Sequence, residues 1–223
     1  MEEENQKIVN AKKIIAKKTL NYLNGISEAG FGSGSTVNCV LEYIDQLDIK
    51  KCLSGSSSTS IQLAKAGTSE INYAKEIGIL VDGADQIIGD RKLFIKGGGG
   101  ALFREKILWE VAKRIIVVAE ERKWVEKPSY PIAIEVLPFA HLFIKEKLDG
   151  MEEVTRTMVR MTSHGIPFHT DNGNWIIDVH YEEIDLIEFE KKVKLIPGVI
   201  ETGIFKFENK PLTILTERRE VEI

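Results

Sequence analysis

Gly78-Ile79-Leu80-Val81-Asp82-Gly83-Ala84-Asp85 is a short apolar run that stops at two carboxylates. Continuous apolar residues without alternation read as a strand covered on both faces. The same layout recurs outward in both directions. Residues 26–31 read as a strand, made more polar by Ser27 and Glu28, leading into Gly30-Phe31-Gly32-Ser33-Gly34-Ser35-Thr36. Leu53 leads into Ser54-Gly55-Ser56-Ser57-Ser58-Thr59-Ser60, Leu93-Phe94-Ile95 ends at Lys96, and Ile115-Ile116-Val117-Val118-Ala119 runs on to Lys123. Helical spacing separates these runs: Ile8, Ala11, Ile15 and Tyr22 over residues 6–23, and Val37, Val40, Leu41, Ile44 and Leu47 over 36–47. A short helix through Ala66 and another over about 101–113 complete the set. Strand and helix thus alternate through the first 120 residues, which predicts an α/β domain: a mostly parallel sheet covered by helices. Ligands of such sheets bind beyond the carboxyl ends of the strands. The polar clusters are therefore expected to gather at one edge.

After Lys127-Pro128 the pattern changes. Residues 132–136 read as a strand, 140–148 as a helix and 154–161 as a strand. Phe168-His169-Thr170 and Trp175–Val179 flank Asp171-Asn172-Gly173-Asn174, a hairpin turn, and a helix follows over about 182–194. This order predicts a second, smaller α+β domain on an antiparallel sheet. Thr202–Phe207 and Leu212–Leu215 are strands that can return to the first domain. The expected division is residues 1–128 with 204–223, and 129–203.

The chain has 223 residues, 43% hydrophobic and 29% charged, which suits an ordinary globular protein. Its net charge of −4 gives no sequence-wide basic field for nucleic acid or an anionic membrane. Met1-Glu2-Glu3-Glu4 has no apolar leader character, and no apolar stretch reaches the length of a membrane span, so a cytoplasmic location is expected. Cys39 and Cys52 lack metal spacing and read as free thiols. His141, His164, His169 and His180 lack partner spacing and read as structural or surface groups. No metal or cofactor is expected.

The polar clusters carry the chemistry. Gly30–Thr36 is neither a dinucleotide fingerprint nor a P-loop, because the third glycine comes too early and no Gly-Lys-Ser/Thr ends it. The hydroxyls of Ser33, Ser35 and Thr36 beside Gly34 suit a phosphate; the plain alternative is a strand-to-helix turn with a cap. Ser56–Ser60 is a second hydroxyl loop, or simply a helix cap. Asp82 and Asp85, spaced by Gly83 and Ala84, must face solvent, a cation or a polar ligand, and sugar hydroxyls would serve; an Asx turn or an incomplete metal site are the other readings. Lys96 followed by Gly97, Gly98, Gly99 and Gly100 combines a fixed cation with backbone that a ligand can approach closely. Glu105, nine residues past Lys96, is a candidate catalytic carboxylate or a first-turn Glu answering the helix dipole. Lys123 is a further cation at a strand end.

Together these segments resemble the type A ribose-5-phosphate isomerase family. The matching pieces are Gly32–Val37, Ser56–Thr59, Val81–Asp85, Lys96–Ala101 and Arg104-Glu105-Lys106, followed by Val136-Leu137-Pro138, Thr170–Asn174 and Ile196-Pro197-Gly198-Val199. They run in order from about residue 6 onward. The resemblance implies cofactor-free interconversion of D-ribose 5-phosphate and D-ribulose 5-phosphate by a homodimer or homotetramer. It implies Glu105 as the base, Asp82 and Asp85 holding sugar hydroxyls and assisting ring opening, and Lys96 stabilising an enediolate oxygen. Ser33, Gly34, Ser35, Thr36, Gly83, Ala84, Gly97, Gly98, Gly99 and Lys123 would line the substrate site. Ser33 replaces the family's usual Thr and keeps its hydroxyl. Gln86 replaces a frequent Glu, and the stretch 68–77 is shorter than usual.

Overall fold

The run through Leu80 is a central strand of a seven-stranded sheet. The computed structural model describes residues 2–89 and 92–223. In chain order its elements begin with α1 (Glu2–Leu23), β1 (Glu28–Phe31), α2 (Ser35–Leu41), β2 (Lys51–Ser54), α3 (Ser57–Lys65), β3 (Ser69–Glu70) and β4 (Ile79–Gly83). Next come β5 (Gln86–Ile88), β6 (Leu93–Ile95), α4 (Leu102–Val111), β7 (Ile115–Val118), β8 (Trp124–Val125), β9 (Ile132–Val136), α5 (His141–Asp149) and β10 (Val154–Val159). The remainder is β11 (Trp175–Tyr181), α6 (Leu186–Lys194), β12 (Val199–Thr202), β13 (Ile204–Lys206), β14 (Leu212–Leu215) and β15 (Glu220–Glu222). Two units result: Met1–Ala84 with Arg104–Trp124 and Phe207–Ile223, and Asp85–Phe103 with Val125–Lys206.

In the first unit the strand order is β15-β14-β7-β4-β1-β2-β3, parallel except where β15 pairs with β14. All four residues of β7 are buried, as a parallel strand covered on both faces requires. Phe31, Val81, Ile116 and Val118 pack with Ile15 and Leu23 of α1, Val37 and Val40 of α2, and Leu63 of α3. Each such aliphatic or aromatic side chain contributes about 1.5–3 kcal/mol on burial. Sequence periodicity extends α2 to residue 47, but the helix ends at Leu41 and a 3-10 turn follows over Ile44–Gln46. The predicted face is still the buried one. The hydrogen bonds tighten, with Tyr43 N donating to Val40 O at 3.1 Å, so the pitch changes while the apolar side stays inward.

The second unit holds two antiparallel sheets, β10-β11-β9-β12 and β13-β6-β5 extended by β8. The first packs Ile132, Ile134 and Val136 of β9 and Ile177 and Val179 of β11 against Ile144 and Leu148 of α5 and Phe189 and Val193 of α6. Asp185 caps α6 by accepting from Ile187 N and Glu188 N, which is why the helix starts later than the apolar pattern does. The turn after Thr170 forms as expected, with Gly173 at φ +77 and Thr170 N donating to Asn174 O at 2.8 Å. Its upstream arm makes only an isolated bridge, His169 to Trp175, because β11 takes β10 and β9 as neighbours. Buried Glu135 organises that turn: its Oε1 accepts from Thr170 Oγ1, Asn172 Nδ2 and Asn174 Nδ2 at 2.9–3.0 Å.

One sequence expectation is corrected here. β6 does not belong to the parallel sheet; it pairs antiparallel with β5 and β13. Residues 85–103 consequently cluster with the second unit. An apolar triplet such as Leu93-Phe94-Ile95 is equally compatible with either sheet, and its partner β13 lies far along the chain. The returning segment divides likewise: β13 stays in the second unit, and β14 joins the first, between β7 and β15.

Candidate active site

In the first unit, β1, β2, β4 and β7 are parallel, so the residues that follow them share the carboxyl edge of one sheet. Gly32 N extends the pairing of β1 by donating to Val81 O at 2.9 Å. The chain then turns through Ser33 and through Gly34, whose φ of +107 favours glycine, into α2. Ser33 meets Glu105 directly: its backbone N and its Oγ donate to Glu105 Oε1 at 3.0 and 2.7 Å. Glu105 stands in the first turn of α4 and is 2% exposed. Asp82, fully buried at the end of β4, lies on the other side of the same loop. A Cβ at Gly32 would fall 1.9 Å from Asp82 Oδ1, and one at Gly55 would fall 3.2 Å from Glu105 Cγ. Glycine at 32 and 55 is therefore what lets two carboxylates close on one turn of backbone.

The partners of Asp82 are set by the fold. Trp109 Nε1 donates to Oδ2 at 2.6 Å and Gly83 N to Oδ1 at 2.8 Å. Trp109 is four residues beyond Glu105 on α4, so one helix bears the candidate base and locks the neighbouring carboxylate. The second hydroxyl loop braces the first. Ser56 caps α3 by accepting from Thr59 N, and Thr59 Oγ1 donates to Gly32 O at 2.8 Å.

Cations stand nearby. Lys123 Nζ donates to Ala84 O at 2.8 Å, and Lys12 of α1 donates to Ser35 Oγ at 2.9 Å. Both also approach Glu120, 3% exposed, at 3.5 Å. Burial alone would raise the Glu120 pKa, but Lys123, a backbone hydrogen bond, Lys12 and Arg122 together hold it below its ordinary 4.5. A depressed carboxylate stabilises the fold above its unfolded pKa and loses that contribution as pH falls through the folded value. Glu120→Gln is accordingly expected to cost about 2 kcal/mol at pH 7 in chemical denaturation. The gap between variant and wild type should narrow when the measurement is repeated well below Glu120's ordinary 4.5. A gap unchanged between the two pH values would remove the charge from the account.

The remaining candidates lie in the second unit. Lys96, 3% exposed, follows β6, donates its backbone N to Gly203 O at 2.8 Å, and holds its ammonium 5.3 Å from the Phe205 ring centre. Asp85 Oδ2 accepts from Gly98 N at 2.7 Å. Gly97 sits at φ +102 and is buried, Gly98 and Gly99 are exposed, and Gly100 packs flat against Phe168. Gln86 is buried and links β5 to the segment after Pro128. Its Nε2 donates to Ser129 Oγ at 2.8 Å, and its Oε1 accepts from Ser129 N and Tyr130 N at 2.9 Å. An ionised Glu there could accept but not donate, so the amide suits this chain's serine.

The first unit is an α/β fold of the kind that serves small-molecule enzymes, and the ends of its parallel strands carry carboxylates, hydroxyls and a lysine. The sequence model of ribose 5-phosphate isomerase A (phosphoriboisomerase A) matches residues 51–218. The ribose-5-phosphate isomerase A of Pasteurella multocida is 36% identical over 214 residues, covering 92% of this chain and 93% of that protein. That of Thermoplasma acidophilum is 37% identical over 200 residues, covering 85% and 81%. A solved D-ribose-5-phosphate isomerase in complex with phospho-erythronic acid superposes with a TM-score of 0.87 at 30% identity, covering 97% of this chain and 98% of that one. The Plasmodium falciparum enzyme gives 0.85 at 31%, covering 95% and 97%. The chain belongs to the ribose 5-phosphate isomerase A family.

Proposed function

We propose that this chain interconverts D-ribose 5-phosphate and D-ribulose 5-phosphate through an enediolate, with Glu105 as the base. Membership of the family supports the reaction. The observation that carries the assignment of the base is the Glu105 carboxylate, buried and oriented by two donors from Ser33 beside the Gly32 turn. In the aldose-to-ketose direction Glu105 takes the proton from C2 and returns it to C1. A well-placed carboxylate contributes typically ~10²–10⁴-fold to such a transfer. Charge then grows on the substrate oxygens. Lys96 is assigned to stabilise it, a role for which one donor is worth about 3 kcal/mol. Asp82 and Asp85 hold sugar hydroxyls and assist ring opening, with Gly83, Ala84, Gly97, Gly98 and Gly99 contributing backbone to the substrate site. Gly34, Ser35 and Thr36 receive the phosphate, with Lys123 and Lys12 supplying positive charge, while Ser33, whose two donors are taken by Glu105, borders the substrate site. Phosphate binding is remote from the reacting carbons, so it orients the substrate at their benefit.

The reading is tested by assaying the purified chain on ribose 5-phosphate in deuterated water. Ribulose 5-phosphate with solvent deuterium at C1 is the expected product. Turnover should persist in excess chelator, because no group of three or more His, Cys, Asp or Glu side chains among the described residues is placed to hold a metal ion. Activity lost in chelator and regained with a divalent metal, without deuterium uptake, would replace proton transfer by a metal-assisted hydride shift.

A further inference from the structure

We propose that Arg160, held by Asp178, is a positioning residue that fixes the glycine loop after Lys96 and, through that loop, Asp85. This rests on the reading above, in which Lys96 and Asp85 act on the sugar. Met158 of β10 is registered opposite Asp178 of β11. Arg160, two residues on, shares that face and reaches back diagonally. Its Nε donates to Asp178 Oδ2 at 2.9 Å and its Nη2 to Asp178 Oδ1, a two-pronged pair in which both side chains are more than four-fifths buried. The third arm does something a strand-to-strand pair does not require. Nη1 donates to Gly97 O at 2.8 Å and to Gly98 O at 3.1 Å.

Those two carbonyls are thereby turned to one side, and Gly98 N donates to Asp85 Oδ2. Phe168 closes the far end of the loop: a Cβ at Gly100 would fall 2.4 Å from its ring, and the Arg160 guanidinium lies 5.9 Å from the ring centre. A run of glycines loses more conformational freedom on ordering than any other sequence, so it stays in one conformation only if something grips it. Here the grip is a guanidinium whose planar fork satisfies a carboxylate and two peptide oxygens together. A lysine ammonium has no such fork. Tyr130 adds a neighbour to the same place. Burial, then the Asp85 charge, push its pKa upward, with Arg160 opposing.

The test compares wild type with Arg160→Gln, Arg160→Lys and Asp178→Asn. Steady-state kinetics on ribose 5-phosphate and amide hydrogen exchange over residues 96–103 are the readouts. Arg160→Gln is expected to lower kcat about 10- to 100-fold, as for a misplaced reacting group, with KM within threefold and exchange over 96–103 accelerated. Arg160→Lys should behave like the glutamine variant despite keeping the charge, and Asp178→Asn should fall between. If Arg160→Gln does not fold, the other two variants read the same quantities. Folded variants with wild-type kcat, or with reduced kcat and unchanged exchange over 96–103, overturn the proposal. A wild-type protein inactive on ribose 5-phosphate would sink the functional reading instead, and exchange would still decide whether Arg160 holds the loop.

Discussion

Glu105→Gln is expected to reduce kcat by about three orders of magnitude, within the range for loss of a general base. KM for ribose 5-phosphate should stay within a few-fold of wild type. The substitution is nearly isosteric, and the amide oxygen can still accept from Ser33 N and Oγ. The turn at Gly32 should therefore survive, and the unfolding temperature should move by no more than about 2 °C. What changes is the capacity to take a proton. Stopped assays on both substrates, with calorimetric binding of the variant to ribose 5-phosphate, separate the two effects. Near-normal turnover in a folded variant would show that another group moves the proton.

The second large effect is expected at Gly203. A Cβ there would lie 2.2 Å from Lys96 O and 3.2 Å from Ala133 O, both backbone atoms. Neither can step aside cheaply. Lys96 N is bonded to Gly203 O, Gly203 N to Ala133 O, and Ile204 is registered with Ile95 in the next pair. Gly203→Ala is expected to cost about 3 kcal/mol through overpacking, or roughly 6–12 °C in unfolding temperature. Relief would require the backbone of Lys96 to shift, so kcat should fall with stability. Gly150→Ala is the control, because a Cβ there meets only carbonyl oxygens at 3.6 and 3.7 Å. Equal effects at the two positions would mean that close approach at Lys96 is not the cause.

These cases show where the sequence was legible. Chemical punctuation is local: Asp82-Gly83-Ala84-Asp85, Lys96 with its glycines, and the Ser33–Thr36 loop announce themselves by composition. Parallel strands buried on both faces, such as Ile115–Val118, are equally plain because four successive apolar residues leave no face for solvent. Partnership is different. Nothing near Gly203 in the sequence marks it as the close neighbour of Lys96, and nothing near Arg160 points to Gly97. The first comes from the antiparallel register of β13 with β6, and the second from a side chain reaching out of the β10–β11 pair. Trp109 carried a faint signal, since it falls one helical turn beyond Glu105, but its bond to Asp82 depends on how α4 lies against β4. Lys12 looked like one of many lysines on α1 until the fold set it on Ser35. The sheet assignment of Leu93–Ile95 failed for the same reason: an apolar triplet states that it is covered, not by what.

The seven-stranded sheet has a bearing on how the chain is made. Its β7 is flanked by β4 and β14, and β14 is synthesised only after the long excursion Val125–Lys206. Until then Ile115-Ile116-Val117-Val118 offers an open row of peptide groups with no charged side chain to blunt it. A nascent polypeptide halted near Lys206 would display that sticky margin to its neighbours, whereas one extended past Leu215 would have sealed it. Released chains truncated at these two points should therefore differ sharply in their recruitment of chaperones.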